Sequence, residues 1–188
     1  MTTIIIGLSG SLRKGSFNAG LLRAAAEVAP EGCNVAVESI RGIPLYDADL
    51  EAESPPAAVT ELQAKIDAAD GLLLVSPEYN QSIPGVFKNA VDWLSSFPLG
   101  GDKIFRDLPV GVIGASAMWS GTLGAQTAWL PVFRGLAMKP YLGETLYVGG
   151  ARGKFDDAGT LTDSAARDRL THWMAGFAAF VSAETKRG

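Results

Sequence analysis

Two short runs constrain this chain more than any other feature: Ile4-Ile5-Ile6 near its start and Leu72-Leu73-Leu74-Val75 further on. Neither alternates apolar with polar residues, so neither suits a strand with one face in water. Continuous aliphatic runs of strand length are what a parallel sheet covered on both faces requires. The runs predict strands over residues 2–8 and 71–76, and similar runs predict others over 34–39, 109–116 and about 141–148.

Helical patterns lie between them. In SPPAAVTELQAKIDAAD, Ser54 is placed as an N-cap and Pro55 at the first helical position, with Val59, Leu62, Ile66 and Ala69 on one face. The last pattern follows a Thr162-Asp163 start signal and repeats Leu170, Trp173, Met174, Phe177, Phe180 and Val181 at three- and four-residue spacing, which reads as core packing. His172 falls one position off that stripe and should face solvent. Strands alternating with helices mean parallel pairing through right-handed crossovers. The expected fold is therefore α/β: a doubly wound, five-stranded parallel sheet of order 2-1-3-4-5 with helices on both faces. At 188 residues one core suffices, so residues 1–188 form one domain. The stretch 40–54 reads as a long loop.

Composition removes several function classes. A net charge of −4 and no clustered Lys/Arg stripe argue against nucleic-acid binding. The single cysteine, Cys33, can form neither an internal disulfide nor a zinc cluster and reads as a small residue opening a strand, with a reducing cytoplasm as the default compartment. No window approaches a membrane span and the N-terminus lacks a signal-peptide pattern, so a soluble protein is expected.

Ligands of open parallel sheets bind beyond the carboxyl ends of the strands, where the winding order reverses. For this order, that crevice lies between the first and third strands. The two most polar turns follow those strands: SGSLRKGSFN after the first, PEYNQSIPG after the third. In the first, free amides at a helix start, the hydroxyls of Ser11 and Ser16, the Asn18 amide and the forked charge of Arg13 suit a phosphate.

The P-loop pattern fails, because Ser16 and Phe17 stand where Lys and Ser/Thr are needed; the dinucleotide pattern fails because the glycines stand at 7, 10 and 15. Glu38 near the end of the second strand is the one feature that would support a dinucleotide. A single terminal phosphate held without metal suits FMN better. The second turn agrees, offering backbone amides, the Tyr79 ring and the Asn80 amide to a planar ring, with Pro77 stiffening the turn.

At these residues the sequence resembles the NADPH-dependent FMN reductase family, a flavodoxin-like group with quinone reductases, azoreductases and chromate reductases. GSLRKGSFN (10–18), SPEYNQSIPGVFKNAVDWL (76–94) and PLYDAD (44–49) carry the resemblance, which runs from about residue 3 to about 181. It implies a flavodoxin-like FMN-binding domain in which Ser11, Arg13, Ser16, Phe17 and Asn18 surround the FMN phosphate and ribityl end. Pro77, Glu78, Tyr79 and Asn80 would line the isoalloxazine, and Ser116 would add a third contact beside WSGTLGAQ (119–126). Homodimers or homotetramers are implied; Trp93 and Phe97, on the helix after PEYN, are candidates for such a contact or for the core. The sequence departs from the family near Leu123-Gly124, where relatives often carry arginine, and in TAWLPVF (127–133), where Pro131 should kink or shorten the helix.

The expected reaction passes hydride from NADPH or NADH to bound FMN and then electrons to a small-molecule acceptor: a quinone, flavin, azo compound or oxidised metal anion. The chemistry sits on FMN, and no nucleophilic triad can be assembled from one histidine and one cysteine. Glu78 could serve as an acid near the flavin, but a structural role is favoured. The acidic run Asp47, Asp49, Glu51, Glu53 lacks the glycine and terminal Glu of a calcium loop and reads as a solvated loop. The rival function is a flavodoxin-like electron carrier without nicotinamide turnover. A phosphoacceptor domain would want an Asp where Ser76 and Pro77 stand.

Overall fold

The computed structural model describes residues 2–96 and 99–185. Strands β1 (Thr3–Ser9), β2 (Cys33–Glu38), β3 (Gly71–Val75) and β4 (Pro109–Ala115) pair in parallel in the order β2-β1-β3-β4. The fifth position is filled by two short pieces, β5 (Lys139–Pro140) and β6 (Tyr147–Val148), both parallel to β4. The sheet therefore has the expected 2-1-3-4-5 order.

One strand over about 141–148 is not what forms. Tyr141 still donates its N–H to the Val110 carbonyl, and then the chain leaves the ladder. The Tyr141 ring packs on Trp173, Phe177 and Phe180, while the Glu144 carbonyl accepts the Trp173 indole N–H. Contacts with the last helix outbid the ladder over this stretch, and pairing resumes at Tyr147.

Helices α1 (Phe17–Glu27), α2 (Ala48–Glu53), α3 (Ala57–Asp67), α4 (Gly85–Leu94), α5 (Gly101–Ile104), α6 (Leu123–Gly135) and α7 (Ser164–Thr185) complete the chain. Successive strand residues alternate between two buried clusters. Ile5, Leu73, Val75 and Ile113 pack with α1 and α7, whereas Ile6, Leu8, Leu72 and Leu74 pack with α3, α4 and α6. Both sheet faces are covered, as the continuous apolar runs demand. Ile4 is the exception, 40% exposed near the amino end of β1.

The 40–54 stretch is not a loop throughout, since α2 forms within it. Asp47 caps α2 by accepting the Asp49 N–H, and Glu51 turns inward to 6% exposure, accepting hydrogen bonds from the Ser96 and Tyr46 hydroxyls. The acidic run is therefore only partly solvated. Ser54 ends α2 instead of capping α3. Its extended backbone is what a residue before proline prefers, and Pro55-Pro56 postpones the next helix to Ala57.

Val59, Leu62 and Ile66 are buried as expected. The α7 stripe is buried apart from the half-buried Phe180; Asp163 accepts the Ala166 N–H, and the exposed His172 pairs with Glu144. Pro131 does not shorten α6, which continues to Gly135 with the proline on its exposed side. Glu38 is committed to an ion pair with Lys65. Cys33 opens β2 half-buried, and burial followed by the Asp70 charge pushes its thiol pKa up.

Trp93 is fully buried, donating its indole N–H to the Pro44 carbonyl, so it belongs to the core and not to a subunit contact. Phe97 lies outside the described residues. Among the described residues, no helix is long and apolar enough to cross a membrane.

Candidate functional site

The carboxyl ends of β1, β3 and β4 converge, and the first turn is pinned where it leaves β1. Gly10 donates its N–H to the Val75 carbonyl, and a Cβ there would enter the Phe87 ring. Arg41 braces the turn from β2's side, its guanidinium donating to the Leu12 carbonyl at 2.7 Å. Ser16 is the N-cap of α1 and accepts the Ala19 N–H, which leaves the amides of Phe17 and Asn18 without an intrahelical partner. Arg13 lies 5.4 Å from the Phe17 ring centroid. Among the described residues it has no carboxylate partner, so a free cation stands beside the positive end of a helix dipole.

Asn18 does something its sequence position does not reveal. Its side chain accepts the Ala115 N–H and donates to the Ala115 carbonyl, both at 2.8 Å. Ile113, two residues earlier on the same side of β4, still bonds the start of the β3 turn through its carbonyl and the Ser76 N–H. A carboxamide carries the donor and acceptor of a peptide group, so Asn18 continues the ladder where β3 has ended.

The second turn begins at Ser76, fully buried, whose hydroxyl donates to the Pro77 carbonyl and accepts the Trp129 indole N–H. Tyr79 and Ser82 exchange both backbone hydrogen bonds around Asn80 (φ 50) and Gln81 (φ 60). Two successive left-handed residues make a type I′ turn, and Gln81 occupies a position where glycine would rest more easily. Glu78 accepts the Ala125 N–H at 3.0 Å, so its carboxylate caps the first turn of α6. Gly124 adjoins that cap, and a Cβ on it would stand 2.8 Å from the Gln81 carbonyl.

These elements enclose two adjoining cavities. The smaller, about 150 Å³, is bordered by Ser11, Arg13, Ser16, Phe17 and Asn18 from the first turn. Pro77, Glu78 and Tyr79 face them from the second, with Ala115 and Ser116 between. The larger, about 440 Å³, is bordered by Glu78, Asn80 and Ser116 together with Gln81, Met118, Ser120, Leu123 and Gly124. Glu78 and Ser116 belong to both. Each residue expected to contact FMN, from Ser11, Arg13, Ser16, Phe17 and Asn18 to Pro77, Glu78, Tyr79, Asn80 and Ser116, borders one cavity or the other.

Sequence reasoning placed WSGTLGAQ (119–126) beside the site but did not single out Met118, or Ser120, Leu123 and Gly124 within that stretch, as bordering a second cavity, and it missed the role of the Gln81 carbonyl. Nothing in the residue types there marks a site except the glycine-rich spacing. It also missed Arg41, whose role depends on β2 lying beside β1.

The donor set fits an organic phosphate ester. A free guanidinium and two open helix amides meet at the smaller cavity, and the Ser9 hydroxyl at the end of β1 is buried with no partner. The partly apolar larger cavity adjoins it, and its size falls within the range of about 300–1,000 Å³ common for small-molecule sites.

Comparison with known proteins agrees. The sequence profile of the NADPH-dependent FMN reductase family matches residues 3–153. An NAD(P)H-dependent FMN reductase of Pseudomonas aeruginosa is 39% identical over 166 residues, 88% of each chain. A quinone reductase of Escherichia coli K12 is 38% identical over 183 residues, 94% of each chain. The solved structure of a flavoenzyme NAD(P)H:(acceptor) oxidoreductase from Paracoccus denitrificans superposes with a TM-score of 0.86 at 27% identity, covering 97% of this chain and 99% of that one. With a flavodoxin-like sheet, two signature turns on one crevice and relatives aligned along nearly its whole length, this chain belongs to the NADPH-dependent FMN reductase family.

Proposed function

We propose that the protein is an oxidoreductase that holds FMN with its phosphate in the smaller cavity and its ring at the junction with the larger one, leaves the Met118 and Leu123 side of the larger cavity to the acceptor, and moves electrons from NADH or NADPH to a small-molecule acceptor of the quinone class. The observation that carries this reading is the junction at Glu78 and Ser116, which joins a phosphate-suited cavity to a ring-sized one. Bound FMN supplies the hydride relay, by which NAD(P)H, a proton and a quinone become NAD(P)⁺ and a hydroquinone.

The chain's own residues bind and orient. Arg13 and the open amides of α1 hold the phosphate, with Ser11 and Ser16 flanking it. Asn18 fixes the α1 terminus to β4 so that these donors keep their aim. The Tyr79–Ser82 turn presents Asn80 and Gln81 to the larger cavity in one rigid conformation. Glu78 is engaged by the Ala125 N–H and serves to hold α6 against that turn, not to move a proton. Assembly into a homodimer or homotetramer belongs to the same reading: Trp119, 89% exposed near the cavity mouth, offers a subunit a large apolar contact, and light scattering tests it.

The purified protein, supplied with FMN and gel-filtered, should retain a flavin spectrum, and either NADH or NADPH should bleach it in anaerobic stopped flow. Retained flavin that neither nucleotide bleaches would mark an electron carrier instead.

A further inference from the structure

We propose that Met118 and Leu123 determine which acceptors this protein takes, making the larger cavity a subsite for neutral planar acceptors that turns away those with negative charge at or beside the reducible ring. The inference rests on the FMN reading above and adds to it the sign of the acceptor.

The first ground is charge. Among the described residues that border the larger cavity, the one ionisable side chain is Glu78, and its carboxylate already faces the Ala125 N–H. No lysine or arginine borders it. Arg13 borders the other cavity, at the phosphate end. Arg152 follows Ala151, whose N–H donates to the Ser116 carbonyl, yet its exposed side chain is not part of the wall. An anion entering here would shed water against neutral amides, hydroxyls and one carboxylate, with no counter-charge to replace its hydration. The chain's net charge of −4 adds a repulsive field at longer range.

The second ground is apolar surface. Met118, 65% exposed on the segment that joins β4 to α6, and Leu123, 50% exposed at the start of α6, both border the cavity. Covering that surface with the face of a flat ring removes apolar area from water on both partners. Methionine adds a polarisable thioether suited to aromatic contact. The Asn80-Gln81 turn also borders the cavity, and its carboxamides can bond a neutral carbonyl. Its distance from α6 is set by Gly124, because any side chain there would press on the Gln81 carbonyl. The cavity thus carries apolar side chains at Met118 and Leu123 and uncharged carboxamides at Asn80 and Gln81.

The test compares 1,4-naphthoquinone with its 2-sulfonate, first by calorimetric binding to the oxidised FMN-loaded protein without nicotinamide, then by reoxidation of the NADH-bleached protein. The wild-type protein should bind the neutral quinone at least tenfold more tightly. Leu123→Arg should narrow that ratio tenfold or more, and the gain should fade as salt rises. Met118→Lys, at a more exposed position, makes the same prediction should the first variant fold poorly. Equal binding of the two quinones by the wild type would overturn the inference, as would an unchanged ratio in a folded variant. If NADH bleaches the flavin but the sulfonate reoxidises it as readily as the neutral quinone, this inference alone falls. If neither NADH nor NADPH bleaches retained flavin, the proposed function falls and takes the inference with it.

Discussion

Replacing Asn18 with alanine removes two hydrogen bonds at once and leaves their partners buried. Asn18 is 4% exposed and Ala115 is 3% exposed, so water cannot readily take over the Ala115 N–H or carbonyl. A buried backbone group stripped of its partner costs about 1–3 kcal/mol, so the two together should cost about 2–6 kcal/mol. That is a large share of a total stability of about 5–15 kcal/mol. At about 2–4 °C per kcal/mol for a chain of this size, the apoprotein should melt about 4–24 °C lower. Asn18→Asp should not rescue it, because a carboxylate keeps the acceptor for the Ala115 N–H but sets oxygen against the Ala115 carbonyl. Urea titration of the FMN-free protein, with wild type and both variants compared at equal m-value, separates this packing role from any contact with a ligand. A loss below about 1 kcal/mol for Asn18→Ala would refute the view that this side chain stands in for a missing strand.

Three further outcomes are expected. Arg13→Ala should weaken FMN binding roughly tenfold to a hundredfold by calorimetry, the worth of about 1.5–3 kcal/mol for one hydrogen bond to a charged group. Gly10→Ala should lower stability by about 1–3 kcal/mol in urea, because its methyl must displace the fully buried Phe87 ring. The hydrogen bond from Tyr46 to the Glu51 carboxylate, aided by desolvation and nearby negative charge, holds the Tyr46 pKa above the usual tyrosine value. A raised native pKa favours the fold while the phenol is protonated. That contribution should be intact below about pH 10, where unfolded tyrosine titrates, and lost as pH rises through the higher native value. Unfolding measured across that range should show a shallower decline for Tyr46→Phe than for wild type.

Much of the site was legible because its two turns declare themselves locally. Hydroxyls, an amide and a cation packed between a strand and a helix point to an anion wherever they occur, and the doubly buried runs say which strands neighbour them. The functions of individual side chains were less legible. Asn18 borders the smaller cavity as expected, yet its bonds to Ala115 were not legible; Glu51 looked solvated and is buried under Ser96 and Tyr46. Ser54 looked like a cap for the helix after it and ends the helix before it. Each misreading has one source: the deciding partner lies outside the local window.

The linear sequence determined the strand runs, most helices, the α/β class and the two turns, because these follow from sterics and apolar periodicity among residues close in the chain. The tertiary structure decided where the fifth strand breaks, which carboxylates face inward, and the wall from Met118 to Gly124. Those outcomes depend on hydrogen bonds such as Asn18 to Ala115, 97 residues apart, and Glu78 to Ala125, 47 apart. Such bonds form only after sheet order has brought strand ends together, and no periodicity in the chain encodes a partner that distant.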